Sequence, residues 1–457
     1  MATVNALKLS ELELKKRIDA EFYSPEYVNS IKKMKRLECK RIGQCCFVTS
    51  GSTPPDRDPE LRSGILLLKT ANIREGYIDI TSESPFFIDD SLDKRLRSSR
   101  LKPNDVLINI VGATLEVIGR VAMVPEDFPR ANITQAMSLI RLITNDYLPE
   151  YIFAFLHSKY GRMQVCRIAR PTAQYNLNHE ETKSIIVPKM PKDFQNQIKE
   201  IYHKFYDFYR ESISLYFRAE NLLLEELRLQ DFKPEFERSY AASLSRILVF
   251  HRADAEYFQP IYDRLVESLR LKFETIKLKN VAPRKKIKIN PDPEKIYKYI
   301  EIGDISTDIG EINYTERLGN KLPPNARIPI HGEEFLISKV RPTRGAIGII
   351  PHEMNDNVIC SSAFSVFEVP SPWREYLYII TRSVIGRLQM ERPTTGTSYP
   401  TINDNDVENI EIPVLPNRIR QKIAFFVQQC YETRKKAKNS LEEAKRKVEE
   451  AIEKAHS

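Results

Sequence analysis

Histidine and cysteine are scarce in this chain, at seven and six residues among 457, and their placement narrows the chemistry open to it. Cys39, Cys45, Cys46, Cys166, Cys360 and Cys430 share no regular spacing, so neither a disulfide framework nor a zinc site follows from them. A reducing, cytoplasmic setting is the plain expectation. No apolar run approaches the ~18–20 residues that span a bilayer. Met1 to Ser10 lacks a basic start followed by an apolar stretch, so no signal peptide and no membrane association are expected. Enzyme signatures are missing too. There is no Gly-rich phosphate loop ending in Lys-Ser/Thr, no Gly-x-Gly-x-x-Gly and no His-Glu-x-x-His. An amino-methyltransferase would need an Asn/Asp-Pro-Pro-aromatic element, which Asn290-Pro291-Asp292-Pro293 is not. A nuclease pattern of the Asp/Glu-x-Lys kind is too loose to decide by inspection.

What the chain has in quantity is charge. Hydrophobic content of 42% beside 29% charged residues fits a globular protein. The formal net charge of +8 permits nucleic-acid binding through local patches without requiring it. The positive charge is uneven: Lys272, Lys277, Lys279, Arg284, Lys285, Lys286 and Lys288 share one short stretch. Most such runs are solvated faces. This one lies inside one of two duplicated domains, which turns the reading toward phosphate contact.

The duplication covers nearly the whole length. Arg17-Ile18-Asp19-Ala20-Glu21-Phe22-Tyr23 returns as Arg252-Ala253-Asp254-Ala255-Glu256-Tyr257-Phe258. Ile118-Gly119-Arg120-Val121 matches Arg344-Gly345-Ala346-Ile347, and Ala136-Met137-Ser138-Leu139 matches Ala363-Phe364-Ser365-Val366. Ser158, Gly161, Arg162, Gln164 and Arg167 pair with Ser383, Gly386, Arg387, Gln389 and Arg392; Asn178, Pro188 and Pro191 pair with Asn403, Pro413 and Pro416. Two copies are too few for a solenoid. A pseudo-twofold molecule that engages something two-sided is the better reading.

Within each copy, short apolar runs bounded by Gly, Pro and Asn predict strands, at Gly64–Leu68, Asp105–Ile110 and Ser138–Leu142 and at Tyr297–Ile302, Glu334–Val340 and Ser365–Val369. Helices are expected over Pro149–Met163 and Trp373–Met390. The fold class is α+β, not a βαβ series. Each copy closes on a longer helical pattern. Ile198, Ile201, Phe205, Phe208, Ser212, Leu215, Ala219 and Leu222 alternate spacings of four and three, as do Ile419, Ile423, Phe426, Cys430, Thr433, Ala437, Ser440 and Ala444, with Leu441, Val448 and Ile452 reinforcing the tail. This is coiled-coil register. The two long helices are expected to pack on each other as an antiparallel coiled coil, since a whole domain intervenes between them. A helix of about 35 residues is about 50 Å long, which along B-DNA covers about 15 base pairs. Two readers on such a strut would read two short sequences across a fixed gap.

With these features the chain resembles the specificity (S) subunit of type I restriction-modification systems. The resemblance rests on the two Asp-Ala-Glu-aromatic-aromatic openings, Gly51-Ser52-Thr53-Pro54, Leu101-Lys102-Pro103-Asn104-Asp105-Val106-Leu107, Gln174-Tyr175-Asn176-Leu177-Asn178, Thr395-Gly396-Thr397-Ser398-Tyr399-Pro400-Thr401-Ile402 and Ile412-Pro413-Val414-Leu415-Pro416. The second copy lacks a clear Gly-Ser-Thr-Pro element. The resemblance implies two target-recognition domains related by pseudo-twofold symmetry, at 1–191 and 236–416, with spacer helices at 192–235 and 417–457. It also implies a non-catalytic subunit that reads a bipartite double-stranded DNA target. That subunit would direct two copies of a methyltransferase and, through the complex, a restriction/translocase subunit. S-adenosylmethionine would bind the methyltransferase, and no cofactor or metal is expected here. A single-chain DNA-modifying enzyme and a duplicated RNA-binding or scaffold protein are the alternatives.

Base reading needs Arg or Lys for guanine, Asn or Gln for adenine, and Ser or Thr for either. In the first copy the candidates are Ser52, Thr53, Arg57 and Arg74, with Arg170, Thr172, Gln174, Tyr175 and Asn176. In the second they are Arg341, Thr343 and Arg344, with Thr395, Thr397, Ser398 and Tyr399. Lys285, Lys286 and Lys288 are candidate phosphate contacts. Ile201, Phe205, Phe208, Leu215, Ile423, Phe426, Leu441 and Val448 are the candidate helix positions for partner docking. Asn178 and Asn403 are expected to cap or shape turns. The Asp19/Glu21 and Asp254/Glu256 pairs are expected to cap a helix and form structural ion pairs rather than act as acid–base groups.

Overall fold

The same strand pairings are built twice from different residues. In each copy one strand lies between an antiparallel and a parallel neighbour: Ile65–Leu68 pairs with Phe86–Ile88 and Ala131–Ile133, and Ile296–Ile300 pairs with Thr315–Leu318 and Val358–Ser361. Continuous apolar runs such as Ile-Leu-Leu-Leu suit a strand buried on both faces. An antiparallel set accompanies it, Val106–Asn109 between Met137–Leu142 and Val121–Met123, matched by Phe335–Ser338 between Phe364–Phe367 and Ile347–Ile349. A short ladder closes each copy, Cys39–Arg41 on Ile186–Pro188 and Thr275–Lys277 on Glu411–Pro413. The second copy adds Ala326–Pro329 on Val358–Ser361.

These features come from a computed structural model, which describes residues 17, 19–81, 84–171 and 174–454. The chain divides into two units, Met1–Phe208 with Lys435–Ser457, and Tyr209–Arg434. Each unit therefore holds one mixed helix-and-strand domain and half of each long helix.

The single helices expected over 149–163 and 373–390 are each two helices. Pro149–His157 breaks at Ser158 before Lys159–Ile168, and Trp373–Arg382 breaks at Ser383 before Val384–Glu391. Both serines are extended, and each hydroxyl accepts a backbone N–H of the next helix, from Gly161 and from Ile385. Such a cap favours a restart over a continuous helix. Gly161 and Gly386 allow the tight return, since a Cβ would come 2.3 Å from the Phe155 carbonyl oxygen or the Thr381 Cα.

Asn178 and Asn403 cap short helices through reciprocal boxes with Glu181 and Asp406, as expected. Arg17 pairs with Asp19 at 2.6 Å and Arg252 with Asp254 at 2.5 Å. Both arginines also bind carbonyls at the end of the second short helix, Ile168 and Ala169 or Pro393 and Thr394. The aspartates do not cap the following α-helices: those begin after Ser24 and Gln259, with a proline in the first turn.

The long helices run Lys192–Glu226 and Asn417–Lys454. The first stops short of residue 235 because Arg228 turns left-handed (φ 55°) and the Leu229 N–H returns to the Leu224 carbonyl. A separate helix, Leu244–Phe250, follows under a Ser243 cap. In the second unit Leu215, Tyr216, Ala219 and Leu223 of the first helix share a core with Ile423, Phe426, Val427 and Cys430 of the second. Arg434 pairs there with buried Asp308 at 3.0 Å and donates to the Ser212 hydroxyl. In the first unit the long helices meet the loop that carries Glu75 and Gly76, and Lys445 lies 3.8 Å from Glu75. Gly76 (φ 92°) sits where a Cβ would lie 2.9 Å from the Phe205 ring and 3.1 Å from Leu441.

One buried position differs in a way that titrates. Arg382 donates to the carbonyls of Gly345, Ile347, Thr307 and Asp308 in the second unit. His157 stands in its place in the first unit, its Nε2 3.1 Å from the Val121 carbonyl. Burial, and next the Lys445 ammonium, push the imidazole from 6.5 down to about 3. The unfolded chain thus binds a proton that the folded unit refuses, so the stability held above the unfolded value is lost as pH falls from 6.5 toward about 3. The expected slope is about 1.4 kcal/mol per pH unit over that window. Denaturant titrations of the protein and of His157→Gln across this range should show a shallower acid limb in the variant; equal limbs would remove His157 as the cause.

Candidate nucleic-acid interface

In each unit a β-hairpin sits beyond the end of a central strand, and both of these hairpins are fixed by the same register. In the first, Arg170 faces Asn176, and Asn176 faces Val111, two residues beyond the strand Val106–Asn109. In the second, Thr395 faces Thr401, and Thr401 faces Val340 beyond Ser338. Reciprocal backbone bonds of 3.0 and 2.9 Å close the Thr395–Thr401 base, and Gly396 takes the positive φ (88°) of the tip. The loops singled out for their chemistry therefore occupy equivalent places.

The second hairpin gathers its candidates. Thr395, Thr397, Ser398 and Tyr399 are exposed, Tyr399 to 66%. Arg341 is left-handed (φ 48°), its N–H bonds the Pro400 carbonyl, and its guanidinium lies 4.2 Å from the Tyr399 ring while donating to the Ser398 carbonyl. Thr343 is half-buried and Arg344 exposed in the next turn. In the first unit Gln174 and Asn176 are exposed and Tyr175 half-buried; Arg170 is held by Glu181 at 2.6 Å, and Thr172 lies outside the described residues.

The other first-unit candidates lie apart from the hairpin ladder. Gly51 is required by close approach, since a Cβ would stand 1.7 Å from the Ile133 carbonyl oxygen. That contact turns Ser52 outward, while the Thr53 hydroxyl donates to Gln135, a side chain the sequence reading passed over. The second unit, lacking this element, joins its sheet through the Arg284–Phe367 bridge instead. Arg57 stacks on Phe86 at 4.3 Å. Arg74 pairs with Asp79 at 3.4 Å, compensating a carboxylate that is 2% exposed.

Not all of the basic run is available. Lys285 is largely buried and bound to Glu334 at 2.6 Å, and Arg284 is held by Glu408 and Asp404. The reason is electrostatic: Glu334 is buried where it receives the His331 N–H, so it needs a cation beside it. Lys286 and Lys288 are exposed, as are Lys272, Lys277 and Lys279.

The stripe named for partner docking faces inward. Ile201, Phe205, Leu215, Ile423, Phe426, Leu441 and Val448 are buried within the chain, and Phe208 is half-buried near Lys436. An outside partner could meet only the other helix faces, where Phe217 and Phe425 are exposed. Among the described residues no group of three His, Cys, Asp or Glu could hold a metal ion, and no helix is long and apolar enough to cross a membrane.

Residues 271–446 match the family model described as the type I restriction modification DNA specificity domain. Over these residues the match supports the resemblance read from the sequence. The type I restriction enzyme EcoBI specificity subunit of Escherichia coli is 26% identical over 191 residues, 42% of this chain, and the match spans 36% of that relative's length. Among solved structures, the S subunit of a type I restriction-modification system from M. genitalium is 13% identical, with 92% of this chain and 95% of that chain covered and a TM-score of 0.38. The HsdS subunit from Thermoanaerobacter tengcongensis is 14% identical over 92% of this chain and 96% of its own, with a TM-score of 0.29. Scores at this level support no inference about this chain.

The two kinds of lysine should separate experimentally. Lys285→Ala leaves Glu334 buried without its cation and should destabilise the second unit by about 3 kcal/mol. Lys286→Ala and Lys288→Ala should leave the melting temperature unchanged and each lower the slope of log affinity for duplex DNA against log salt by about one. Parallel melts and salt titrations read both effects.

Proposed function

We propose that this chain is a sequence-specific DNA-reading subunit of a type I restriction-modification complex. The observation that carries the reading is that a specificity-domain match falls on one of two copies of the same set of strand pairings. On this reading residues 1–191 and 236–416 form two target-recognition domains, each docking against the major groove of one half-site. The exposed hairpins support it, because their hydroxyl, amide and guanidinium groups are the chemistry that reads base edges. Lys286 and Lys288 would hold phosphates and fix orientation without reading sequence.

The long helices would pair as an antiparallel coiled coil and act as a spacer between the half-sites. Their buried stripes, one helix against the other in the second unit's core, are what such a strut needs. Two methyltransferase copies would dock on the outward faces, where Phe217 and Phe425 offer apolar anchors. A restriction/translocase subunit would join through them. S-adenosylmethionine and the flipped adenine would belong to the methyltransferase, leaving this chain without catalysis of its own. The complex would work in the cytoplasm, where its DNA is.

Co-purification with the methyltransferase, followed by mapping of methylated adenines, tests this directly. Two short motifs at a constant gap are expected, and a single contiguous motif counts against it. Lengthening the first long helix by one turn should change the gap; an unchanged gap would remove the helix from the spacer role. Cleavage or methylation of DNA by the isolated chain with magnesium and S-adenosylmethionine would instead mark it as an enzyme.

A further inference from the structure

The two hairpins share a frame, but one side-chain pair exists in only one of them. Following the register, the position of Arg341 corresponds to Gly112, one residue past the bridging valine in each unit. Nothing larger fits there in the first unit, because a Cβ on Gly112 would lie 2.4 Å from the Ile118 nitrogen. The position of Tyr399, two residues before the bridging residue of the hairpin, corresponds to Gln174. The guanidinium-on-ring pair is thus particular to the second unit.

From this geometry we infer that Arg341 is a specificity-determining residue that reads a guanine in one half-site, with Tyr399 as its positioning residue. The inference rests on the proposed DNA-reading role. Three features carry it. The left-handed backbone at Arg341 costs stability for a non-glycine residue, and its main-chain N–H is tied to Pro400, so the side chain is presented from a fixed point. The Tyr399 face and the Ser398 carbonyl then hold the guanidinium plane, while Nε and Nη1 donate to no described residue. Finally, Arg341 forms no ion pair among the described residues, unlike Arg74, Arg170 and Arg284, whose charges are already matched. A planar fork, oriented by stacking and open along one edge, matches the paired O6 and N7 acceptors of guanine better than a single phosphate oxygen.

The test uses the full chain in complex with its methyltransferase, acting on a pool of duplexes randomised across both half-sites. Arg341→Asn suits the left-handed backbone, Arg341→Lys keeps the charge without the fork, and Tyr399→Ala removes the platform at an exposed site. In the unchanged protein one half-site is expected to require guanine at one position. Arg341→Asn and Arg341→Lys should both lower that preference about 10- to 100-fold, and Tyr399→Ala should lower it by less. The other half-site motif should stay intact. A loss uniform over all sequences and rescued by Arg341→Lys would make Arg341 a phosphate contact and overturn the inference. So would an unaltered motif in folded Arg341→Lys or Tyr399→Ala protein. If the unchanged complex shows no two-part motif at all, the DNA-reading role itself falls, and the inference with it.

Discussion

The clip between a strand end and a hairpin, Val111 on Asn176 and Val340 on Thr401, is the constraint on which the rest of each unit turns. A solvent-exposed hairpin is marginal alone. Here its base continues a strand rooted in the sheet, so the tip inherits the rigidity of Val106–Asn109 or Phe335–Ser338, all buried. The chain also returns from the hairpin into an asparagine cap and a short helix, which ties its other end. A surface loop becomes a positioned element because both ends are fixed by backbone geometry, and its side chains remain free to differ.

Charge in these units divides between structure and surface by the burial of carboxylates. Asp93 and Asp105 are fully buried and are held by Arg100 with Arg130, and by Arg141. Glu334 and Asp308 take Lys285 and Arg434 in the same way. A buried carboxylate without a cation costs several kcal/mol, so these basic residues are committed before any ligand arrives. Each such pair is neutral and adds nothing to the formal charge of +8.

How far the sequence could be read follows from which interactions are local. The duplication, the central strands and the Asn178 and Asn403 caps were legible, because pattern and capping are set within a few residues. The restarts at Ser158 and Ser383 were visible only as a serine before a glycine, a weak signal inside an apolar run. The roles of Lys285 and Arg74 were not legible, since Glu334 comes from a distant part of the chain and nothing in the sequence says Asp79 is buried. Nor was the equivalence of Arg341 with Gly112, because insertions between the copies shift the alignment and only strand register restores it.

Divergence inside the repeat follows the same division. The frame of strands and helices is kept, while matched points have changed chemical class: His157 for Arg382, and Gly112 for Arg341, where the backbone changes too, Arg341 alone being left-handed. Buried exchanges of this kind must still satisfy the same carbonyls, and His157 and Arg382 each do, at Val121 and Ile347. Exposed positions carry no such obligation. The hairpin tips could therefore change one residue at a time without disturbing the frame that holds them.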